Sequence, residues 1–162
     1  MPRGFPWYGG TSWQGLLSGP IAIEVADGDE SPSGLPDFFR TISLYVVSER
    51  LRALLESLGA EIEFWPTSVV YRGQSEATTY FVANPLIQAS ALDMERSVVK
   101  LNSVGIAVSA KHVVLDETKF AGARWTKVRE LQEVAIDEQL QTALRDSGFT
   151  GFMIVDPLAH RS

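Results

Sequence analysis

The sequence predicts an α+β fold: a mostly antiparallel, twisted sheet carrying two principal helices, preceded by an irregular N-terminal arm rich in aromatic residues, glycine and proline. Three observations lead to it. Short β-branched and aromatic runs, separated by turn residues, recur from Leu44 to Val155, as in a strand-rich body. Two stretches place leucine on one helical face, each opening on a capping residue and closing on glycine. The chain has 162 residues, 45% hydrophobic and 21% charged, which suits one domain with its own core. A single domain over residues 1–162 is therefore expected, with the arm over 1–40 and the body over 41–158.

The arm holds Phe5, Trp7, Tyr8, Trp13, Phe38 and Phe39 among its glycines and prolines. Such a segment cannot form a long helix, yet its rings are costly to leave in water. It reads as a coil packed on the body, with one short strand from Ile21 to Val25. The run Asp27-Gly28-Asp29-Glu30-Ser31-Pro32-Ser33-Gly34 is a loop, and the most acidic exposed stretch. From Gly4 to Ile23 there is no charge, but glycine and proline interrupt the run throughout. It lacks the ~7–15 continuous apolar residues of a signal sequence and the ~20 of a spanning helix. The expectation is a soluble, cytoplasmic protein whose mature chain starts near Met1.

The body opens with a strand at Leu44–Val47, and Ser48 then caps a helix whose Leu51, Leu54, Leu55 and Leu58 share one face. Gly59 stops it. Ile62–Trp65 is a strand ended by Pro66; Val69–Tyr71 and Thr78–Ala83 are strands joined through a turn at Arg72-Gly73-Gln74-Ser75. Asn84-Pro85 has the form of a cap followed by proline at the first helical position, which predicts a short helix over Pro85–Leu92, broken at Asp93–Ser97. Strands follow at Val98–Leu101, Ile106–Val108, Lys111–Leu115, Arg124–Val128 and Leu131–Ile136. Asp137 then takes the place of Ser48, and Leu140, Ala143, Leu144 and Gly148 match Leu51, Leu54, Leu55 and Gly59 at a constant offset of 89 residues, before a last strand at Gly151–Val155.

The charge is −6, from 20 acidic and 14 basic residues, with four lysines: Lys100, Lys111, Lys119 and Lys127. A nucleic-acid binder shows a basic face, because neutralised phosphates release counterions; neither nucleic acid nor membrane is expected as a partner. An acidic surface suits a basic protein. No cysteine is present, which removes disulfides, thiolate metal sites and thiol catalysis.

Candidates for chemistry are few. His112 lies in a strand pattern and His160 near the C-terminus, where a general base lacks supporting groups. His112 with Asp116 and Glu117 falls short of a convergent ligand set, so no metal or cofactor is expected. Gly10-Thr11-Ser12-Trp13-Gln14-Gly15 has neither the spacing nor the flanks of a nucleophile elbow. The carboxylate pairs Glu61 with Glu63 and Glu130 with Glu133, and the lone Asp93, are more simply solvated strand faces and turns. Trp65 and Trp125 read as core, while Trp7, Tyr8 and Trp13 are equally suited to packing on the body and to contacting a partner.

Several blocks resemble a known family. They are Leu35-Pro36-Asp37-Phe38, Val47-Ser48-Glu49-Arg50-Leu51, Leu55-Glu56-Ser57-Leu58-Gly59, Asn84-Pro85-Leu86, Ala91-Leu92-Asp93, Val114-Leu115-Asp116-Glu117-Thr118-Lys119, Ala143-Leu144 to Gly148, and Thr150-Gly151-Phe152. Their order and spacing are similar to those of the myxobacterial-type immunity proteins of bacterial polymorphic toxin systems, formerly a domain of unknown function. The resemblance implies a non-enzymatic inhibitor, encoded beside a toxin that it binds and neutralises, with no catalytic residues to carry over. The matching Ser48, Asn84, Pro85, Asp93, Asp116, Gly148 and Gly151 have capping or turn roles. The arm before Leu35 has no clear counterpart. Its Trp7, Tyr8 and Trp13, with Asp27, Asp29 and Glu30, are the candidate toxin contacts of a monomer or homodimer. The alternatives are a small hydrolase using Glu61, Glu63 and Asp93, and an interaction domain without a toxin.

If the first helix buries its leucine face, Leu55→Ala costs about 2–5 kcal/mol. Thermal melting checks this, and a variant that melts like the parent refutes the helix.

Overall fold

The apolar runs condense into eleven short strands, two helices and one 3₁₀ turn in the computed structural model, which describes residues 9–25, 34–41 and 44–156. In chain order these are β1 (Ile21–Val25), β2 (Phe38–Arg40), β3 (Tyr45–Ser48), α1 (Glu49–Ser57), β4 (Ile62–Tyr71), β5 (Gln74–Ser75), β6 (Tyr80–Pro85) and β7 (Gln88–Ala89). Then come β8 (Val98–Leu101), β9 (Ala107–His112), the 3₁₀ turn Glu117–Phe120, β10 (Trp125–Val128), β11 (Glu133–Ile136) and α2 (Glu138–Asp146). The α+β class expected from the sequence is what the chain adopts.

The main sheet has the order β1-β4-β6-β3-β2, with β5 folded back on β4. Its pairings are antiparallel except β1 with β4, which run parallel. A second sheet, β11-β10-β7, also holds one parallel pair, and β8 with β9 form a separate antiparallel hairpin. Residues of alternate parity in the main sheet feed two cores. Tyr45, Val47, Phe81 and Ala83 meet Leu51 and Leu55 of α1, Leu140 and Leu144 of α2, and Trp125. Leu44, Val46, Tyr80 and Val82 meet Trp13, Ile23 and Val69 on the opposite face. Helices cover one face and the arm covers the other, so β6 is buried at every position.

Both leucine-faced helices form as expected and use the same device. Ser48 Oγ accepts from Leu51 N, and Asp137 accepts from Leu140 N, relieving one orphan donor in each first turn. The internal match ends there, because Gly151–Val155 is not a strand. That segment lies against β2 through Phe38 N to Thr150 O, 3.1 Å.

Three other expectations change. Pro66 does not end its strand: β4 runs through it to Tyr71, with Pro66 opposite Phe81 and β1 joining one residue later at Thr67. The helix over Pro85–Leu92 is absent. Asn84 and Pro85 belong to β6, where Glu63 and Ile62 pair with them, and sheet pairing overrides a local cap signal. The runs at Ile106–Val108 and Lys111–Leu115 join into β9, while Leu115 keeps one bridge to Leu92. The strand β2 is an addition within the arm. The turn between β4 and β5 narrows to Arg72-Gly73, both at positive φ (51° and 73°), as a two-residue hairpin of this twist requires.

Asp37 ties the ends of this architecture together. Its carboxylate accepts from Ser48 Oγ (2.8 Å), Arg50 Nη2 (2.6 Å) and Thr150 N (3.1 Å), while its carbonyl accepts from Ser48 N (2.7 Å). Burial works against its charge, but the bonds from Arg50, Ser48 and Thr150 outweigh it and hold the carboxyl below its ordinary pKa. Beside it Gly151, at φ +97°, has no room for a side chain: a Cβ would strike Phe38 O and stand 2.7 Å from Pro36 Cβ. By contrast Gly148, at φ +62°, faces open space. Gly151→Ala is therefore expected to cost more than Gly148→Ala, by about 1–3 kcal/mol of overpacking, read as the difference in denaturant midpoints. Equal midpoints would mean that the C-terminal segment does not lie against β2.

Candidate partner-binding surface

The arm is positioned by Glu63, which β4 holds opposite Asn84 of β6. Glu63 accepts from Ser12 Oγ (2.8 Å), Trp13 N (2.7 Å) and Asn84 Nδ2 (3.1 Å). Asn84 Nδ2 also reaches Thr11 O at 2.9 Å, and Gly10 N reaches Pro85 O at 2.8 Å. A continuous set of bonds thus fastens residues 10–13 across the ends of β4 and β6. Burial raises the Glu63 carboxyl, but the donors from Trp13, Ser12 and Asn84 together bring it below its ordinary pKa.

This latch holds Trp13 against the body. Its side chain is 1% exposed and packs with Ile23, Leu44, Val46, Val69, Tyr80 and Val82, so in this structure the ring belongs to the core. Trp7, Tyr8, Asp27, Asp29 and Glu30 lie outside the described residues. Trp125 is buried and Trp65 half-buried against the core, in agreement with their expected roles.

Of the carboxylates weighed for hydrolysis, those of Glu63 and Asp93 have separate structural duties. Glu63 holds the arm, and Glu61 is exposed, with its carbonyl accepting from Leu86 N. Asp93 Oδ1 closes a turn by accepting from Glu95 N and Arg96 N, both 3.0 Å. Glu133 pairs with Arg40 at 2.7 Å. Glu130 accepts from Ala107 N through its carbonyl. Asp116 caps the 3₁₀ turn, and hydrogen bonds from Thr118 lower its pKa. His112 is half-buried opposite Val98, and His160 lies outside the described residues. Among the described residues no group of three or more His, Asp or Glu could hold a metal ion.

Two surfaces stand out: one gathers Asp93, Asp116 and Glu117, which the sequence offers only separately, and the other is not marked by any sequence motif. The first is a cleft of about 350 Å³ lined by Asp93, Asp116, Glu117, Asp156 and Arg96 over Val114 and Leu115. The second is the β8–β9 hairpin, which presents Val98, Val104 and Val108 to solvent. The signal for the hairpin was available: no acidic residue occurs from Ser97 to Leu115, although the chain as a whole is acidic.

The family comparison bears on what such surfaces are for. The model of the Imm11 immunity protein family matches residues 20–156. The chain belongs to the Imm11 family. The match opens one residue before β1, earlier than the Leu35 at which the sequence blocks begin, and leaves residues 1–19 outside it. It contains the whole Asp37 network, so in this Imm11 chain Leu35–Phe38, Ser48, Arg50 and Thr150-Gly151 form one structural joint. Asp93, Asp116, Gly148 and Ser48 have the turn and capping roles expected of them, while Asn84 and Pro85 serve the sheet instead. Among curated proteins, none matches the chain. Among the described residues, no helix is long and apolar enough to cross a membrane.

The Glu63 latch has a pH signature. Its carboxyl is held below the unfolded value of about 4.3, so its contribution is complete above that value and is lost as pH falls through the lower folded value. Glu63→Gln should cost about 1–2 kcal/mol at pH 7, and the gap to the parent should narrow progressively in melts taken as pH falls below about 4.3. A gap independent of pH would remove the charge from the latch.

Proposed function

We propose that this protein is a non-enzymatic inhibitor that binds a toxin encoded beside it and protects the cytoplasm of the producing cell. The observation that carries this is the Imm11 match over residues 20–156, since a family of immunity proteins implies a toxin as the thing resisted. Its chemistry is in keeping. The carboxylates that a hydrolase would use are Glu61, Glu63 and Asp93. Glu63 is engaged by the arm and Asp93 by a turn, and neither Glu61 nor Glu63 lines the acidic cleft. An inhibitor needs a stable scaffold and a complementary surface, and the charge of −6 supplies attraction for a basic partner.

Within this reading Asp27, Asp29 and Glu30, with Trp7 and Tyr8, form an acidic and aromatic contact for the toxin. Trp13 supports that contact from inside by anchoring the arm. A tight complex would bury roughly 1,200–2,000 Å² in total.

Co-expression with the product of the adjacent gene is the test, read by cell survival and by native mass spectrometry. Rescue with a stable complex is expected, and alanine at Asp27, Asp29 and Glu30 should weaken it at least tenfold. Survival without a complex would argue for an enzymatic route to protection. Neither survival nor complex would overturn the reading.

A further inference from the structure

The β8–β9 hairpin has a composition opposite to that of the rest of the chain. Lys100 and Lys111 carry +2 over a segment with no acid from Ser97 to Leu115, so with a total of −6 the remaining residues carry −8. Lys100 and Lys111 are exposed, and neither has an ion pair among the described residues. The fourth lysine, Lys127, is buried, with its Nζ 5.6 Å from the Tyr45 ring, so the hairpin holds two of the three exposed lysines.

The same surface is apolar. Val98, Val104 and Val108 are 57%, 75% and 60% exposed. Lys100 faces Ser109 across the hairpin, and the register shifts on either side of the Val99–Lys100 pair, so that β9 carries extra residues at Val108 and Lys111. Such bulges bend a strand and re-aim its side chains. The tip is held rigid. Asn102 Oδ1 accepts from Val104 N (3.0 Å) and Ile106 N (2.9 Å), and Asn102 N donates to Ile106 O (2.8 Å). Both ends are fixed as well: at the base Val114 N donates to Ser97 Oγ at 2.9 Å, and beside the tip Ala107 N donates to Glu130 O at 2.7 Å. A preorganised tip loses little conformational entropy on binding, and Val104 at the tip with Val108 on the adjoining strand and Lys100 nearby gives the hairpin exposed apolar surface beside charge, the makings of an interaction face.

We propose that the outer face of this hairpin is a second docking surface for the toxin, receiving a patch on it that is apolar at its centre and acidic at its rim. The proposal rests on the inhibitor reading. Charge complementarity selects the occupant. A second copy laid face to face would set Lys100 and Lys111 against their own kind. Nucleic acid and anionic lipid would meet the −8 of the remaining residues, whereas a local acidic patch lies within the ~8 Å over which charges act at physiological salt.

The test is calorimetric titration of the adjacent gene's product with the purified chain at two salt concentrations, using V104D/V108D, K100E and K119E. Lys119 is exposed on the 3₁₀ turn, off the hairpin, so K119E makes the same change of charge elsewhere. At least a tenfold loss is expected for V104D/V108D. K100E should lose several-fold at low salt and less at high salt, and K119E should bind like the parent. Circular dichroism verifies that each variant is folded, and V104S gives a milder change at the tip should V104D/V108D unfold. If the parent binds and every hairpin variant binds equally, the hairpin proposal falls and the inhibitor reading stands. Equal losses for K100E and K119E would also overturn it, as would a parent homodimer dissolved by V104D/V108D, which would give the face to a second copy. A parent that neither binds nor protects removes both.

Discussion

The Asp37 carboxylate joins three pieces of chain that are distant in sequence: the start of β2, the first turn of α1 and the segment after α2. The ion pair is the exposed part of that joint, with Arg50 57% exposed, but it is two-pronged, Nη2 to Oδ2 at 2.6 Å and Nε to Oδ1 at 3.2 Å, the geometry in which an exposed pair does contribute. The bonds from Ser48 Oγ and Thr150 N complete it on a carboxylate whose own side chain is only 12% exposed, and a charged acceptor strengthens each of them about twofold. Ser48 thereby serves twice, accepting from Leu51 N to start the helix and donating to Asp37 to locate it. Arg50 lies over the Phe149 ring at 4.3 Å, which draws the chain beyond α2 toward the same point. The geometry of both helices relative to the sheet follows from this junction.

A sheet buried on both faces sets the terms for everything else. With helices on one side and Trp13 on the other, β6 has no solvent face, and its polar residue must find partners inside. The Asn84 amide nitrogen does so by donating to Glu63 and Thr11, while its Oδ1 is buried without a partner among the described residues. The arm is thus the second cover of the sheet, and its glycines let it lie close: a Cβ on Gly9 would stand 3.0 Å from Pro85 O. Charge and apolarity left for a partner are accordingly displaced to the periphery, to the cleft beside Asp93 and to the β8–β9 hairpin.

The sequence was most legible where local grammar and tertiary structure agree. Ser48 with Leu51 and Leu55, and Asp137 with Leu140 and Leu144, announced both helices because cap, face and stop are encoded within one short stretch. It misled where a distant neighbour decides. Asn84-Pro85 is a good helix start in isolation, and only the register opposite Ile62 and Glu63 makes it a strand. Pro66 likewise stays in β4 because β1 begins alongside it one residue later. Glu63 carried no local sign that it would hold the arm through partners about fifty positions away. The buried fate of Trp13 was undecidable for the same reason. The hairpin was readable, but as a charge pattern across residues rather than as a motif.

The joint at Asp37 also imposes a schedule on biosynthesis. Asp37 and Thr150 are 113 positions apart, and a chain made from its N-terminus folds what has emerged first. Ser48 and Leu51 are translated together, so the first turn of α1 has its cap at once. Ser48 and Arg50 can reach Asp37 early as well, whereas the bond that ties this junction to the chain beyond α2 waits until Thr150 has been synthesised. A nascent chain therefore holds Leu51 and Leu55 without the α2 leucines that complete their core, and closure of that core follows the synthesis of α2.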